Sequence, residues 1–512
     1  KFFDIVTWNG NSVSGRQISH SLNSPVGMII VKRTNANGQA WAVYHRSASY
    51  TLRTGYYNTY NAGSSVYSLH STGAPNSGAS SWNNTDATST HFTLGNAAKV
   101  NQTGGTYVAY LFADNSTEDA EDQMIKCGYY HGNASADGPI VNLGWEPQWL
   151  LIRPKSTNNW LIYDNMRGVP RANSSIYNSG KSMELYPNLN NAETFDGNNP
   201  NKVDFTATGF QIKSASATHN KTNDAKGHLF MAIRAPMMVE PEAATDVFAV
   251  STEAAFSSDR LVSAGFAVDA AISAQTGTYG SPHMTNRLTA GTWLSPDETS
   301  AEGTGNYWLY DESLGVKGTN TQYGSVTTVW NMWKKAKGFM DVVAFTGNAT
   351  AGRAIPHSLG VAPEIVLLKS RGSVQNWYFL NASTGGNFLL NTSSTDQGQP
   401  QSYWGDGTNY VAPTASNFTI GSRGQVNASN VGYIAYLFAT LAGISKVGSY
   451  TGNGSSQTID CGFSAGARFI LIKRTNASGN WMVYDSARGI VAGNDPHLSL
   501  NSNTAQVTTD DS

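Results

Sequence analysis

The sequence predicts an all-β chain, built as a tandem array of antiparallel β-sandwich domains, and three observations predict it. Its apolar runs are short and rich in β-branched residues, such as MIIVKR (28–33) and FILIKR (469–474), which suits strands covered on both faces rather than helices. Its composition is polar but little charged. Asp, Glu, Lys and Arg make up 13% of 512 residues, against roughly 25% in an average soluble domain, while 51 glycines and abundant Asn, Ser and Thr supply turns. Finally, whole phrases of the sequence recur, and recurrence at a fixed period marks repeat architecture.

The recurrence orders the chain. FFDIVTWNGN (2–11) returns as FMDVVAFTGN (339–348), GRQISHSL (15–22) as GRAIPHSL (352–359), and GTYVAYLFAD (105–114) as VGYIAYLFAT (431–440). A second type of repeat opens with IKCGYYHGN (125–133) and SKVGSYTGN (445–453), and continues to NNWLIYDNMRG (158–168) and GNWMVYDSARG (479–489). Gly132 and Gly347 lie 215 residues apart, about two repeats, so a divergent copy is expected between them. AGFAVDAAIS (264–273), NYWLYDESLG (306–315) and TTVWNMWKKAKG (327–338) stand in its place. Five domains follow: 1–119 of the first type, 120–239 of the second, 240–338 divergent, 339–441 of the first type, and a partial 442–512 of the second. The last copy stops before its final strand, which reads as a segment of a longer array or a repeat completed by something else.

Within a repeat, NWLIYD alternates, with Trp160, Ile162 and Asp164 on one face and Leu161 and Tyr163 on the other. FTLG (92–95), FQIK (210–213) and FTIG (418–421) precede the last strand each time. Seven to nine strands over about 110 residues imply two stacked sheets. A jelly roll is favoured over an immunoglobulin-like sandwich, which strand count alone does not separate.

The same residues bound the function. Thirty-three basic against 35 acidic residues, a net charge of −2, give no counterion-release drive toward nucleic acid. No apolar run approaches the roughly 18 residues of a membrane span, and KFFDIVTWNG alternates like a strand rather than a leader peptide. Cys127 and Cys461 are the only cysteines, too few for a disulfide framework or closed zinc site. They read as two buried apolar thiols. The acidic run NSTEDAEDQ (115–123) lacks the ligand order of an EF-hand loop and reads as a solvated linker. APMMVEPEAA (235–244) reads as an extended, proline-interrupted linker. No metal or cofactor is expected.

Trp41, Trp160, Tyr163, Asp164, Arg167, Trp308, Trp377, Trp481, Tyr484, Asp485 and Arg488 form a recurring signature. An aspartate near an arginine could serve as general acid and substrate clamp. Because the motif recurs beside different loops it reads instead as scaffold, with Asp164–Arg167 and Asp485–Arg488 pairing across a glycine-closed turn, worth at most about 1 kcal/mol if exposed. His20 and His357 recur as strand-end histidines. No HExxH, GxSxG or GxxxxGK[ST] motif is present, and sparse carboxylates argue against glycoside hydrolysis, so no enzymatic activity is expected. Loops holding Tyr56, Tyr57, Tyr60, Tyr403, Trp404 and Asp406 are the candidates for sugar contact, where aromatic faces stack on sugar C–H groups and Asp or Asn binds hydroxyls.

The phrases FFDIVTWNGN, GRQISHSL, IKCGYYHGN, LGWEPQWLLIRP and NWLIYDNMRG resemble repeated concanavalin-type, laminin-G-like sandwich domains of structural proteins in tailed bacteriophages, especially marine ones. The resemblance covers essentially the whole chain and is weakest over 245–338. It implies a virion protein, tail-fibre-like, at the extracellular surface, that pairs with copies of itself (a trimer being the usual fibre form) and with other virion proteins. A host-surface glycan is the implied external contact, with no nucleic acid and no membrane insertion. A capsid or tail decoration protein, a bacterial adhesin or polysaccharide-binding array, and a depolymerase are the competing readings.

Overall fold

Alternation of side chains builds the first sheet. In Thr106–Ala113, Tyr107, Ala109, Leu111 and Ala113 are buried while the residues between them are half-buried. The buried set packs with Trp8, Ile29, Val31, Phe92 and Leu94 in one core. Thr106–Ala113 pairs on one side with Phe3–Asn9 and on the other with Val26–Arg33, and Ala42–His45, Ser65–Ser68 and Asn76–Ser77 complete a six-stranded antiparallel sheet. Arg16–Ser19 pairs with His91–Leu94 as the facing layer. The first strand thus lies beside the last, the last beside the third, and the second beside the penultimate, which is jelly-roll order.

The structure is a computed structural model that describes all residues except 49, 55, 61, 117–121, 167–182, 192–193, 196–201, 222–226, 256–257, 278–279, 290, 305–307, 311, 319–325, 491–494 and 509–512; at 50–54, 56–60, 183, 194–195, 304 and 309 only the backbone is described. It is all-β, a tandem array of sandwiches, and the same order recurs. Ile125–Tyr130, His228–Arg234, Pro147–Pro154 and Leu161–Asp164 form the second sandwich's larger sheet, against Ile140–Asn142, Gly209–Ile212 and Val203–Thr206. Phe248–Glu253, Thr328–Trp333, Ala270–Gln275 and His283–Asn286 form the third, against Arg260–Ser263, Gly315–Gly318 and Trp308–Leu309. Met340–Thr346, Gly432–Phe438, Ile365–Ser370, Tyr378–Asn381 and Gly386–Leu389 form the fourth, against Arg353–Pro356 and Asn417–Ile420. The fifth has one described sheet: Phe469–Lys473, Trp481–Asp485 and Leu498–Ser499.

The contacts divide the chain into two compact units near Pro236. Within each, neighbouring sandwiches are fused rather than strung on linkers. In the first unit the outward faces of the two larger sheets meet: Met28, Val43 and Tyr67 pack on Cys127, Leu151, Trp160, Leu229 and Met231. In the second unit one core takes residues from three sandwiches, among them Phe248, Ile272 and Trp333, then Met340, Val342, Trp377 and Tyr436, then Trp481 and Val483. Sheets buried on both faces explain why the central strands carry continuous apolar runs.

The fit in the first unit is close enough to require glycine. A Cβ on Gly27 would stand 2.6 Å from Cys127 Sγ and 3.0 Å from the Ala113 carbonyl oxygen. Overpacking a tight core costs about 1–3 kcal/mol. Gly27→Ala is therefore expected to lower the first unit's stability by that amount in urea titration, and Cys127→Ala in the same chain to recover part of it.

Candidate functional site

The recurring cation and tryptophan come together at every described joint but one. Register places a cation near the end of the central strand beside the tryptophan, as Lys473 opposite Trp481. In the second sandwich Arg153 lies over the Trp160 ring at 5.5 Å. Its guanidinium donates to its own loop at Asn158 O and to the first sandwich at Thr72 O (3.0 Å) and Gly73 O (2.6 Å). Trp160 Nε1 donates to Ser68 O at 3.1 Å, and the Asn158 N–H to Thr72 O at 2.9 Å. The fourth sandwich grips the third identically: Lys369 Nζ to Thr299 O (2.9 Å), Trp377 Nε1 to Ser295 O (2.8 Å), Gln375 N–H to Thr299 O (2.8 Å). The fifth grips the fourth: Lys473 Nζ to Ser393 O (2.9 Å), Trp481 Nε1 to Leu389 O (3.0 Å), Gly479 N–H to Ser393 O (2.9 Å). Each clasp sets charged and aromatic donors on backbone carbonyls of the preceding sandwich.

The third sandwich departs from this. Its central strand pairs Ser273 with His283, so Ala274 and Pro282 occupy the cation and tryptophan positions. Trp308 was aligned with Trp160 in sequence, and the structure corrects that. Trp308 lies in the smaller sheet opposite Gly318, buried with Trp293 and His283 at ring distances of 5.5 and 5.0 Å. Two similar strings around a tryptophan fell in different sheets, because Trp308–Leu309 pairs with Gly315–Gly318 and not with the central strand. The backbone half of the clasp survives at Ala274 and Pro282: the Gly280 N–H donates to Asn503 O of the fifth sandwich at 3.0 Å. Third, fourth and fifth sandwiches therefore close head to tail. Trp333 meets Phe438 at 6.4 Å and Phe469 at 5.3 Å in the middle.

A second recurring device was not singled out in the sequence. Asn101, Asn220 and Asn427 are all fully buried in KVN, THN and QVN, just before the last strand. Each side-chain oxygen accepts the N–H of the asparagine after the turn glycine: Asn11 at 3.1 Å, Asn133 at 2.7 Å, Asn348 at 2.9 Å. Each amide donates to nearby carbonyls, as Asn427 Nδ2 does to Thr350 O and Gly421 O, both at 2.8 Å. A Cβ on Gly10 or Gly347 would lie 2.1 Å from the carbonyl oxygen of Gln102 or Ala428, which is why the GN turn recurs. The signal was available as an asparagine nine or ten residues after the phenylalanine of the FTLG-type strand.

A family model described as a domain of unknown function (DUF7483) matches residues 2–235 and again 269–512. The chain belongs to the DUF7483 family. No curated protein matches it. The first match spans the two clasped sandwiches of the first unit, so the DUF7483 repeat is larger than one sandwich.

Other signature residues of this DUF7483 chain serve its packing. Asp485 and Arg488 pair as expected, but not at an exposed turn. Their side chains are 0% and 2% exposed. Arg488 Nε donates to Asp485 Oδ2 at 2.7 Å and Nη2 to Val483 O at 3.0 Å, while Asp485 Oδ1 accepts the Arg488 N–H at 3.0 Å. Asp164 is half-buried at a strand end; Arg167 lies outside the described residues. Tyr484 faces His497 at 5.4 Å. Trp41 is half-buried under Lys32 Nζ, 5.2 Å above its ring. His20 and His357 each accept the N–H two residues on, Leu22 at 3.3 Å and Leu359 at 3.2 Å.

Tyr163 joins a buried polar chain that the sequence did not reveal. Its hydroxyl donates to Glu184 Oε1 at 2.8 Å and lies 2.5 Å from His219 Nε2, while Ser216 Oγ lies 2.9 Å from His219 Nδ1. Serine, histidine and carboxylate in series resemble a hydrolytic triad. Here, however, Glu184 and His219 are each 2% exposed, and Tyr163 and Tyr186 engage both carboxylate oxygens. With the hydroxyl, imidazole and carboxylate groups hydrogen-bonded to one another, the chain reads as a satisfied polar core.

The candidate sugar-binding loop is corrected as well. Trp404 is fully buried, its Nε1 donating to Asn387 Oδ1 at 3.1 Å, so its face is closed to a ligand. Tyr403 stacks on Tyr378 at 4.9 Å with Arg423 5.7 Å from its ring. Asp406 is exposed but accepts the Thr408 and Asn409 N–H groups at 2.8 and 2.7 Å, a turn carboxylate. The side chains of Tyr56, Tyr57 and Tyr60 lie outside those described; their backbone forms a hairpin with Tyr50–Thr54. Cys127 is buried, but Cys461 is half-buried, not a core thiol. Residues 117–121 of the acidic run lie outside the described residues. Among the described residues no three His, Cys, Asp or Glu side chains gather to hold a metal.

Two buried groups make the first unit acid-sensitive. Burial pushes His45 down to about 4. The Ser47 N–H donates to its Nδ1 (3.2 Å), so the ring proton sits on Nε2 and is donated to Phe230 O of the second sandwich (3.0 Å). Below the ordinary value of 6.5 the unfolded chain binds a proton that the folded one refuses, so stability falls between pH 6.5 and 4, by about 3 kcal/mol. At Glu184 burial pushes the carboxyl up, but the hydrogen bond and charge of His219 and the tyrosine hydroxyls outweigh it and hold it at about 2. That stabilisation is whole above pH 4.5 and lost as pH falls toward 2. Thermal melting of the first unit is expected to drop in both windows, and His45→Gln to flatten only the upper one.

Proposed function

We propose that this chain is a non-enzymatic structural protein of a tailed-phage virion, a tail-fibre-like appendage whose fused sandwiches form a stiff scaffold. The observation that carries this reading is the clasp: in the second, fourth and fifth sandwiches a recurring lysine or arginine and its tryptophan are engaged in joining one sandwich to another. A scaffold presenting many copies of similar loops suits avidity, in which weak contacts with host-surface glycans add without any strong single site. The low charge and the polar turns agree with a protein that works outside the cell. Gold-labelled antibody against the chain, applied to intact phage particles, is expected to mark the distal tail. An even coat over the capsid would replace the fibre by a decoration protein, and particles without label would remove the virion reading.

A further inference from the structure

The two units use the same clasp but finish differently. In the second unit every sandwich both grips and is gripped. In the first, the second sandwich grips the first, and two halves of the clasp are left over. Lys32, Trp41 and the Gln39 loop stand in the gripping positions of the first sandwich: Lys32 Nζ donates to Gln39 O at 2.7 Å, as Lys369 does to Gln375 O and Lys473 to Gly479 O. Among the described residues no carbonyl of another sandwich accepts from Lys32 Nζ or the Trp41 indole. The accepting segment of the second sandwich follows from Asn188. Its Oδ1 takes the Trp160 N–H at 2.9 Å, as Asn391 takes that of Trp377 and Asn501 that of Trp481. Beside it Leu189 is 41% exposed, and Asn190 is exposed.

The apolar faces agree. Phe2, Phe3 and Ile5 are 42%, 44% and 54% exposed, whereas their repeats in the closed second unit, Phe339, Met340 and Val342, are 5%, 0% and 1% exposed. Phe3 and Ile5 lie on the same sheet face as Ile30 and Phe112, which continue into the core shared with the second sandwich. An exposed apolar strip that runs on from a sheet-to-sheet core marks an interaction surface.

We infer that this face of the first unit binds the same face of a second copy across a twofold axis, each copy's Lys32–Trp41 half-clasp gripping the other's 186–190 segment. The self-complementarity decides for a second copy. A twofold pairs a patch with itself, and the ring first–second–first–second uses every clasp half. A lone extra sandwich would also fit this face, and a wild-type chain that stays monomeric is the result it predicts.

Light scattering of the eluting full chain, over a range of concentrations, tests this. Wild type is expected at twice the chain mass of 54.8 kDa. Ile5→Glu and, separately, Leu189→Glu are expected to give monomers whose circular dichroism and melting match wild type at low concentration. Both residues are exposed, so neither change disturbs a folded monomer. Val361→Glu, on an exposed residue (39%) of the second unit, is expected to leave the dimer intact. A wild-type chain that stays monomeric up to its solubility limit, forms a trimer, or dimerises regardless of Ile5→Glu and Leu189→Glu overturns the inference.

Discussion

Trp377→Ala is expected to destabilise the second unit by about 3–5 kcal/mol, the cost of truncating a buried tryptophan. Trp377 is fully buried in the core shared by three sandwiches, and its indole donates to Ser295 O, so alanine leaves both a void and a buried carbonyl without its donor. Trp377→Phe separates these contributions. It keeps most of the packing and loses the hydrogen bond, for about 1–3 kcal/mol. The control is Trp41→Ala, the same motif position in the first sandwich, where the ring is half-buried and, among the described residues, nothing across a joint accepts from it. In monomeric protein, at low concentration, that change is expected to cost about 1 kcal/mol, since it buries far less apolar area. Hydrogen exchange resolved by peptide makes the measurement: Trp377→Ala should deprotect Tyr378–Asn381 and Met340–Thr346 together, because both strands depend on the joint. Equal losses for the Trp377 and Trp41 variants would show that the tryptophan supports only its own sandwich, and the clasp would fall.

The fold was legible in the sequence where local chemistry decided it. Strand periodicity fixes which face of NWLIYD enters which core, and Leu161 with Tyr163 on one side and Trp160 with Ile162 on the other is what the structure contains. What was not legible depends on partners far along the chain. Trp404 sits in a loop rich in tyrosine, glycine and asparagine, and only the amide of Asn387, brought up by a neighbouring strand, shows why it is buried. Asp485 and Arg488 looked like a surface turn pair because they are three residues apart; their side chains are nonetheless almost wholly buried, which no local pattern encodes. Trp308 misled for the opposite reason, since its flanking residues match the motif while its strand partner does not. Lys369 and Lys473 follow the apolar runs IVLL and FILI in the sequence, yet their role lies in carbonyls roughly 70 to 80 residues earlier, at Thr299 and Ser393.

Arg488→Met is the other change expected to have a large effect, about 3–5 kcal/mol, since removing one partner strands a buried charge. An exposed pair at a turn would cost less than about 1 kcal/mol, and the two cases are far enough apart for urea titration to distinguish. Asp485 is fully buried, and besides the guanidinium it accepts two backbone N–H groups, from Ala487 and Arg488. Asp485→Asn retains an acceptor for that turn and removes the charge. The double variant Asp485→Asn/Arg488→Met is therefore expected to be more stable than Arg488→Met alone, because no ion is left without a partner; the coupling should exceed about 1 kcal/mol, as it does for residues in direct contact. Arg488→Lys distinguishes charge from shape. A lysine restores the positive charge but not the fork that reaches Asp485 and Val483 O together, and it is expected to recover less than half of the loss. If all four variants lie within 0.5 kcal/mol of wild type, roughly the range of surface substitutions, the pair is solvated and the recurring aspartate and arginine are not part of the fold's support.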